Sequence, residues 1–391
     1  MLSQNQMLMI SDRIKLYKER RDLKNKGKVI GAPLYTSFPR LGDYLPELPK
    51  GTMVMITANS GVGKSQLYRS LMLWNYFIHY KRNPASGFIP KWLIFLLEES
   101  KEEFIDALIA SLLFYKFGIV CDPLHLNSMH KKALPIEILY KVEECQPILE
   151  ELLTHIIVED SIYHPFGIYN TCRYYSRQWG EHYFTNLIPK ENPDYISYDT
   201  YNTYTREQKD KWKYSHYIPN NPDEHVFVIV DHLALLQPEK NMSLRDAMGM
   251  WSFSYCRKNI SKHWKWTITN IVQQASDSEK QQFDIRGRSI ISKIKPSLDG
   301  LGDNKAIQRD HLVVFGLFAP DRYEIKDYAG YKVDELEDRF RTLIILKNRI
   351  GKGNLELPLY FNGASSYFSE LPPSNAMTPD VYKSILNDTY R

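Results

Sequence analysis

An α/β fold with a mostly parallel central sheet flanked by helices is what this 391-residue sequence predicts. Three observations lead there. Short apolar, β-branched runs recur at 53–57, 92–97, 156–158, 226–230, 267–272, 312–317 and 342–346. Near-continuous apolar strands of this kind suit a sheet covered on both faces. Helix-forming text separates the early runs, at 64–80 and 101–117, which is the alternation that builds parallel pairing. Finally, the first run passes into its helix through a turn of small residues, Ala58-Asn59-Ser60-Gly61-Val62-Gly63-Lys64-Ser65.

Composition narrows the class. At 43% hydrophobic residues the chain can bury a full core. The cysteines Cys121, Cys145, Cys172 and Cys256 are far apart with no CxxC pair, which argues against a zinc site or disulfide framework and for a reducing, cytoplasmic setting. The start of the chain lacks a basic stretch followed by an apolar one, so no signal peptide is expected. The apolar run near 108–120 is too short to span a bilayer and contains Lys116. A net charge of +4 permits nucleic acid as a partner without predicting it.

Along the chain, residues 9–28 form a charged helical stretch with a narrow apolar stripe ending near Gly27. Residues 1–30 are expected to be a linker or docking helix and residues 31–370 the main domain. An insertion covers about 180–224, and 371–391 form a tail. Residues 161–220 break the strand–helix rhythm and hold 11 of the 27 tyrosines. A helix is expected at 168–179, and the rest, to 221, reads as the insertion between two strands.

The small-residue turn has the strand–loop–helix context of a phosphate-binding loop. Successive backbone N–H groups turn inward around phosphate oxygens, and the helix N-terminus adds partial positive charge. Lys64 is expected on the β- and γ-phosphates and the Ser65 hydroxyl on Mg²⁺. The expected cradle is Ala58, Asn59, Ser60, Gly61, Val62, Gly63, Lys64, Ser65 and Gln66, with Ala58 standing where the strict pattern has glycine. A second anchor for the metal is Asp231, which ends the apolar run 226–230 at the carboxyl edge of the sheet, where ligands bind in such folds. Glu98, at the tip of the run 92–97, is the expected general base. Glu99 is its more solvent-facing neighbour, and Ser100 to Glu103 reads as a capping box. ATP and Mg²⁺ are therefore the expected ligands.

Taken in order, these segments resemble the RecA-like motor domain of DnaB-type replicative helicases, over roughly residues 30–370. Thr36–Leu41 with Leu48–Thr52 resembles the lead-in to the family's P-loop. Phe95–Ser100 resembles its catalytic-glutamate strand, and Asp231–Leu236 its metal anchor. Ile271-Val272-Gln273 resembles the strand whose glutamine senses the γ-phosphate, and 343–351 the strand bearing trans-acting cations. The resemblance implies catalytic roles for Glu98, Lys64, Gln273, Lys347 and Arg349. Lys347 and Arg349 are two apart at a strand end, so both are expected to face one way, toward a γ-phosphate held by the next subunit. His232 and Ala234 depart from the family pattern, as does the text after Gln273. With only about 35 residues ahead of the resemblance, no counterpart of the family's N-terminal helical domain is expected, nor ring formation and primase binding through it.

For nucleic acid, Arg286, Arg288, Lys293 and Lys295 follow the Gln273 strand in a segment of weak periodicity. In DnaB-like rings the corresponding loop grips one strand. Lys240 and Arg245 are expected on a second basic loop. The expectation is an ATP-driven helicase or translocase on single-stranded DNA, self-associating into a ring or spiral, as a hexamer, with replication partners and no membrane. The rivals are a recombinase- or KaiC-like oligomeric ATPase without unwinding, and a nucleotide-bound scaffold.

Overall fold

In a computed structural model, residues 4–188, 193–275, 291–353 and 355–390 are described. The central sheet has nine strands: β1 (Met53–Ala58), β2 (Ile89–Leu96), β3 (Ile156–Glu159), β4 (Glu224–Asp231), β5 (Thr267–Gln273), β6 (Val313–Phe318), β7 (Phe340–Asn348), β8 (Glu356–Asn362) and β9 (Tyr367–Glu370). Their order is β9-β8-β7-β6-β1-β5-β4-β2-β3. Pairing is parallel from β6 through β3 and antiparallel from β6 to β9. The expected mostly parallel sheet is therefore present, with an antiparallel edge from β6 to β9, and its central strands are apolar because both faces are covered. Two core clusters lie on the two faces, one including Leu67, Leu71, Trp92 and Phe227, the other Met55, Val228, Trp251 and Ile268.

Five of the seven expected strand runs fall within a strand of this sheet, and the other two, 92–97 and 312–317, each overrun theirs by one residue. The hairpin β8–β9 was not expected, since Pro358 interrupts its first strand and the second has only four residues. The P-loop helix runs Lys64–Tyr68, widens into a π segment at Arg69–Trp74, and returns to α over Asn75–Arg82. The helix Lys101–Phe117 starts from the capping box Ser100/Glu103.

Three peripheral parts differ from their outline in the sequence. The first is the N-terminal helix, Gln4–Asn25, which leaves Met9, Ile10, Ile14 and Tyr17 exposed and is tied down at its end by a Lys24–Glu47 ion pair. The second is the tyrosine-rich region, which is not a set of loops. After the helix Pro165–Trp179 it folds into a three-stranded antiparallel sheet, with Gly180–Asn186 between Tyr195–Ser197 and Trp212–Pro219. The third is the C-terminal segment. It forms a helix, Pro379–Leu386, that buries Ile385, while Asp388 accepts from Arg339, Asn362 and Tyr360. Among the described residues, no helix is long and apolar enough to cross a membrane.

Candidate nucleotide site

Parallel pairing brings the carboxyl ends of β1, β5, β4 and β2 to one edge. Gln273 is in register with Ala58, and Leu96 with Asp231. The loop leaving β1 can turn sharply because Gly61 and Gly63 adopt φ of +67° and +110°. A side chain at Gly63 would also meet the Phe361 ring at 3.2 Å, so both conformation and space require glycine there. The loop is braced from three sides. The Arg341 Nε donates to the Val62 carbonyl at 3.0 Å, Arg322 donates to the Ser60 carbonyl, and Asn59 donates to the Tyr323 hydroxyl at 2.5 Å.

A crevice at this edge is lined by Ser60, Gly61, Gly63, Lys64, Ser65, Gln66 and Arg69, together with Glu98, Glu99, Asp231 and Gln273. Lys64 is buried and its Nζ donates to the Asn59 carbonyl at 3.1 Å. Asp231 is only 3% exposed. Its Oδ1 is buried with no hydrogen-bond partner among the described residues, and the Ser65 side chain lies at hydrogen-bonding distance of the carboxyl group. Burial pushes the Asp231 carboxyl up to about 6, Ser65 and Arg69 pull it back, and Glu99 and Glu98 reinforce the rise. A buried carboxylate with a spare oxygen beside a hydroxyl fits a hard divalent cation. Among the described residues, no cluster of three or more His, Cys, Asp or Glu side chains could enclose a metal.

The two carboxylates after β2 part company. Glu99 forms an ion pair with Arg69, a side chain only 4% exposed within the P-loop helix. Burial opposes the Arg69 charge, but Tyr68, Glu99 and Asp231 outweigh it and raise its pKa further. Glu98 keeps a side chain that is 62% exposed, with His232 Nε2 3.5 Å from its Oε2. Both line the crevice, but Glu98 is the more exposed and is not held by an arginine, and Glu99 is not the solvent-facing partner expected from the sequence. A similar division holds after β5. Gln273 lines the crevice, whereas Gln274 is buried, donating to Thr57 Oγ1 at 2.9 Å and the Ser297 carbonyl at 3.2 Å.

Lys347 and Arg349 lie elsewhere. Because β7 runs antiparallel to β6, Lys347 pairs with Val314, which is level with Met55, and the Arg349 amide bonds to the Leu312 carbonyl. The Leu312 amide in turn bonds to the Met53 carbonyl. At about 3.3 Å per residue, Arg349 sits roughly 17 Å along the sheet from Ala58. These cations leave the edge opposite their own P-loop. Lys347 is on the strand and donates to the Gln308 carbonyl, while Arg349 is exposed just beyond the strand end. Burial, and after it Arg349 and Arg257, lower the Lys347 pKa.

Of the basic residues assigned to nucleic acid, Arg286 and Arg288 lie outside the described residues. Lys293 is exposed on a short helix, Ile291–Ile294. Lys295 is engaged, 2.8 Å from Glu356 and over the Tyr328 ring at 4.9 Å. Arg245, expected on a loop, is helical and exposed, and Lys240 is an exposed turn residue. Sequence reasoning missed Arg69, Arg322 and Arg341. Arg69 had a visible signal, a lone cation in the apolar text QLYRSLMLW, which obliges a buried partner.

No family model matches the chain, and no curated protein matches it. Solved structures do. One, an isolated ATPase domain, superposes with a TM-score of 0.62 at 16% identity, covering 93% of this chain and 99% of that domain. A DnaB-like replicative helicase, described with its interactions with primase, gives 0.61 at 17% identity over 93% of this chain and 66% of its own. A KaiC-like protein from the hyperthermophilic archaeon Pyrococcus horikoshii reaches only 0.39 at 12% identity, too low to argue from. The chain has the RecA-like P-loop fold of DnaB-type helicase ATPase domains.

Proposed function

We propose that this RecA-like domain hydrolyses ATP and uses the cycle to move along single-stranded DNA as a ring or spiral, with six subunits as the expected number. The observation that carries the hydrolytic part is the crevice itself, where Lys64, Ser65, the under-coordinated Asp231 and the open Glu98 line one cavity. The P-loop amides and the helix N-terminus would hold the phosphates. Lys64, released from the Asn59 carbonyl, would neutralise charge between the β- and γ-phosphates. Ser65 and Asp231 would hold Mg²⁺, which supplies further charge neutralisation there.

Glu98 would take a proton from water as the water oxygen bonds to the γ-phosphorus and the bond to the bridging oxygen breaks. Gln273 would hydrogen-bond the γ-phosphate and report its loss along β5. Arg69 keeps Glu99 engaged, so one carboxylate rather than two approaches the reacting phosphate, which reduces like-charge repulsion.

The oligomeric part rests on Lys347 and Arg349 lying at the sheet edge opposite their own site, where Lys347 would exchange the Gln308 carbonyl for the phosphate. A neighbour stacked on that edge would receive two cations at its γ-phosphate, in the manner of an arginine finger. Single-strand binding rests on Arg286, Arg288 and Lys293 after the Gln273 strand, with Lys295 held in reserve by Glu356. Primase contact does not transfer, because the chain spans less than two-thirds of the helicase for which it is described. Four buried, unpaired cysteines fit the reducing cytoplasm. The test is phosphate release by Lys64→Ala and Asp231→Ala proteins with wild-type circular dichroism. Loss of turnover in both supports the site, and wild-type turnover in either refutes it.

A further inference from the structure

A second cavity, of about 300 Å³, lies where the helix Pro165–Trp179 and the helical segment Met250–Trp264 meet the three-stranded sheet of the insertion. It shares no lining residue with the P-loop crevice. Rings make most of its wall, among them Tyr169, Phe184, Tyr198, Tyr201, Tyr214 and Trp264. Arg173 and Arg177 line it one helical turn apart, so they project from the same face. Asn202 and Asn259 contribute amides, and no carboxylate lines it.

Arg177 donates to the Tyr198 hydroxyl at 3.1 Å and lies over that ring at 5.1 Å. Neither Arg173 nor Arg177 has an acidic partner among the described residues. The other ionisable nitrogen group, His182, is buried between Ser176 Oγ at 2.8 Å and Tyr214 Oη at 3.1 Å. Burial, and then Arg177 and Arg173, hold its imidazole down to about 4, so it stays neutral at pH 7. The wall is already ordered, since Phe184 and Tyr201 stack at 3.9 Å with their planes 1° apart. A preformed wall lowers the ordering cost of binding.

Two guanidiniums favour a phosphate through charge-assisted hydrogen bonds. Aromatic walls favour a flat ring, and amides give such a ring hydrogen-bonding partners. A nucleotide combines both demands, and a cavity of this size holds one unit rather than a duplex. We propose that this cavity binds a single nucleotide unit, its base among the rings and its phosphate on Arg173 and Arg177. The unit is either free or part of a single strand. The proposal does not depend on ATP hydrolysis at the P-loop.

The test uses the full chain and two probes, 5-iododeoxyuridine monophosphate and a short oligothymidylate carrying one 5-iododeoxyuridine. Affinity and photo-crosslinks are measured in wild type, Arg173→Glu/Arg177→Glu and Arg173→Lys/Arg177→Lys. Losing charge-assisted contacts should weaken binding by at least about tenfold in the Glu variant, with a smaller loss in the Lys variant. Wild-type crosslinks should map to peptides containing Phe184, Tyr198 or Tyr201. A crosslink from the monophosphate identifies a free nucleotide as the occupant, and one from the oligomer alone identifies a strand. Unchanged affinity for both probes in the Glu variant overturns the proposal, as do crosslinks confined to other regions. Both arginines are exposed, so circular dichroism and ATP turnover without nucleic acid should match wild type. A wild-type protein without ATP turnover would undo the hydrolytic reading and leave this one standing.

Discussion

Glu98 and Glu99 are adjacent, yet their replacement by glutamine should damage different properties. Glu99 is the counterion of Arg69, a guanidinium that is 4% exposed and whose Nε has no hydrogen-bond partner among the described residues. Breaking a buried pair from one side leaves an uncompensated charge, at a cost of about 3–5 kcal/mol. With about 2.1 cal/mol/K of unfolding entropy per residue over 391 residues, that cost lowers Tm by about 4–6 °C. The double change Arg69→Met/Glu99→Leu removes both charges and should restore most of the loss. Glu98 has no such partner, so Glu98→Gln should leave stability within about 0.5 kcal/mol. Its turnover should fall by about 10²–10⁴-fold, because an amide cannot accept the proton. Thermal unfolding followed by circular dichroism and a phosphate-release assay read the two effects on the same preparations. Wild-type Tm in Glu99→Gln would refute the buried-pair argument. Undiminished turnover in Glu98→Gln would remove Glu98 from the chemistry.

Other consequences can be measured separately. Arg349→Ala subunits should bind nucleotide and assemble but not hydrolyse it, and mixing them with Lys64→Ala subunits should restore some turnover. Mixtures that stay inactive after verified subunit exchange would refute a role in trans. Acid should destabilise the fold through His182, His225 and His311, each held neutral below its usual range, first of all by burial. The unfolded chain takes up these protons near pH 6.5 while the folded chain refuses them, so stability is full above that pH and falls beneath it. The shift of His311 to about 4 is worth about 3 kcal/mol. A Tm that stays level from pH 7 to 4.5 would contradict this. Arg286→Glu/Arg288→Glu should weaken oligothymidylate binding and reduce its salt slope by about two units, with ATP turnover kept. An unchanged titration would refute a role for both residues in strand binding.

What could be read from the sequence was what is local. The P-loop, the strand ending at Asp231 and the Ser100 capping box are contiguous patterns, and each lies in its expected element. The central strands were legible because burial on both faces leaves an unbroken apolar run. The hairpin β8–β9 and the insertion sheet mix polar and apolar residues, so neither period stands out. The bracing of the P-loop was hidden for another reason. Arg341 reaches Val62 across 279 positions and Arg322 reaches Ser60 across 262, contacts that only strand order can bring about. The same holds for Lys295, a basic loop residue in the sequence that Glu356 engages in the fold. Glu98 was chosen over Glu99 from its place at the strand tip, but the ion pair that holds Glu99 on Arg69 was not legible there, because it joins residues 30 positions apart.

The central claim is ATP hydrolysis at the Lys64–Asp231 site coupled to single-stranded DNA. Its most direct test is the rate of phosphate release by the purified full chain, with and without oligothymidylate, beside a Lys64→Ala control. The account predicts turnover that rises when the strand is added and vanishes in Lys64→Ala. Turnover indifferent to the strand, or equal in the Lys64→Ala protein, would contradict it.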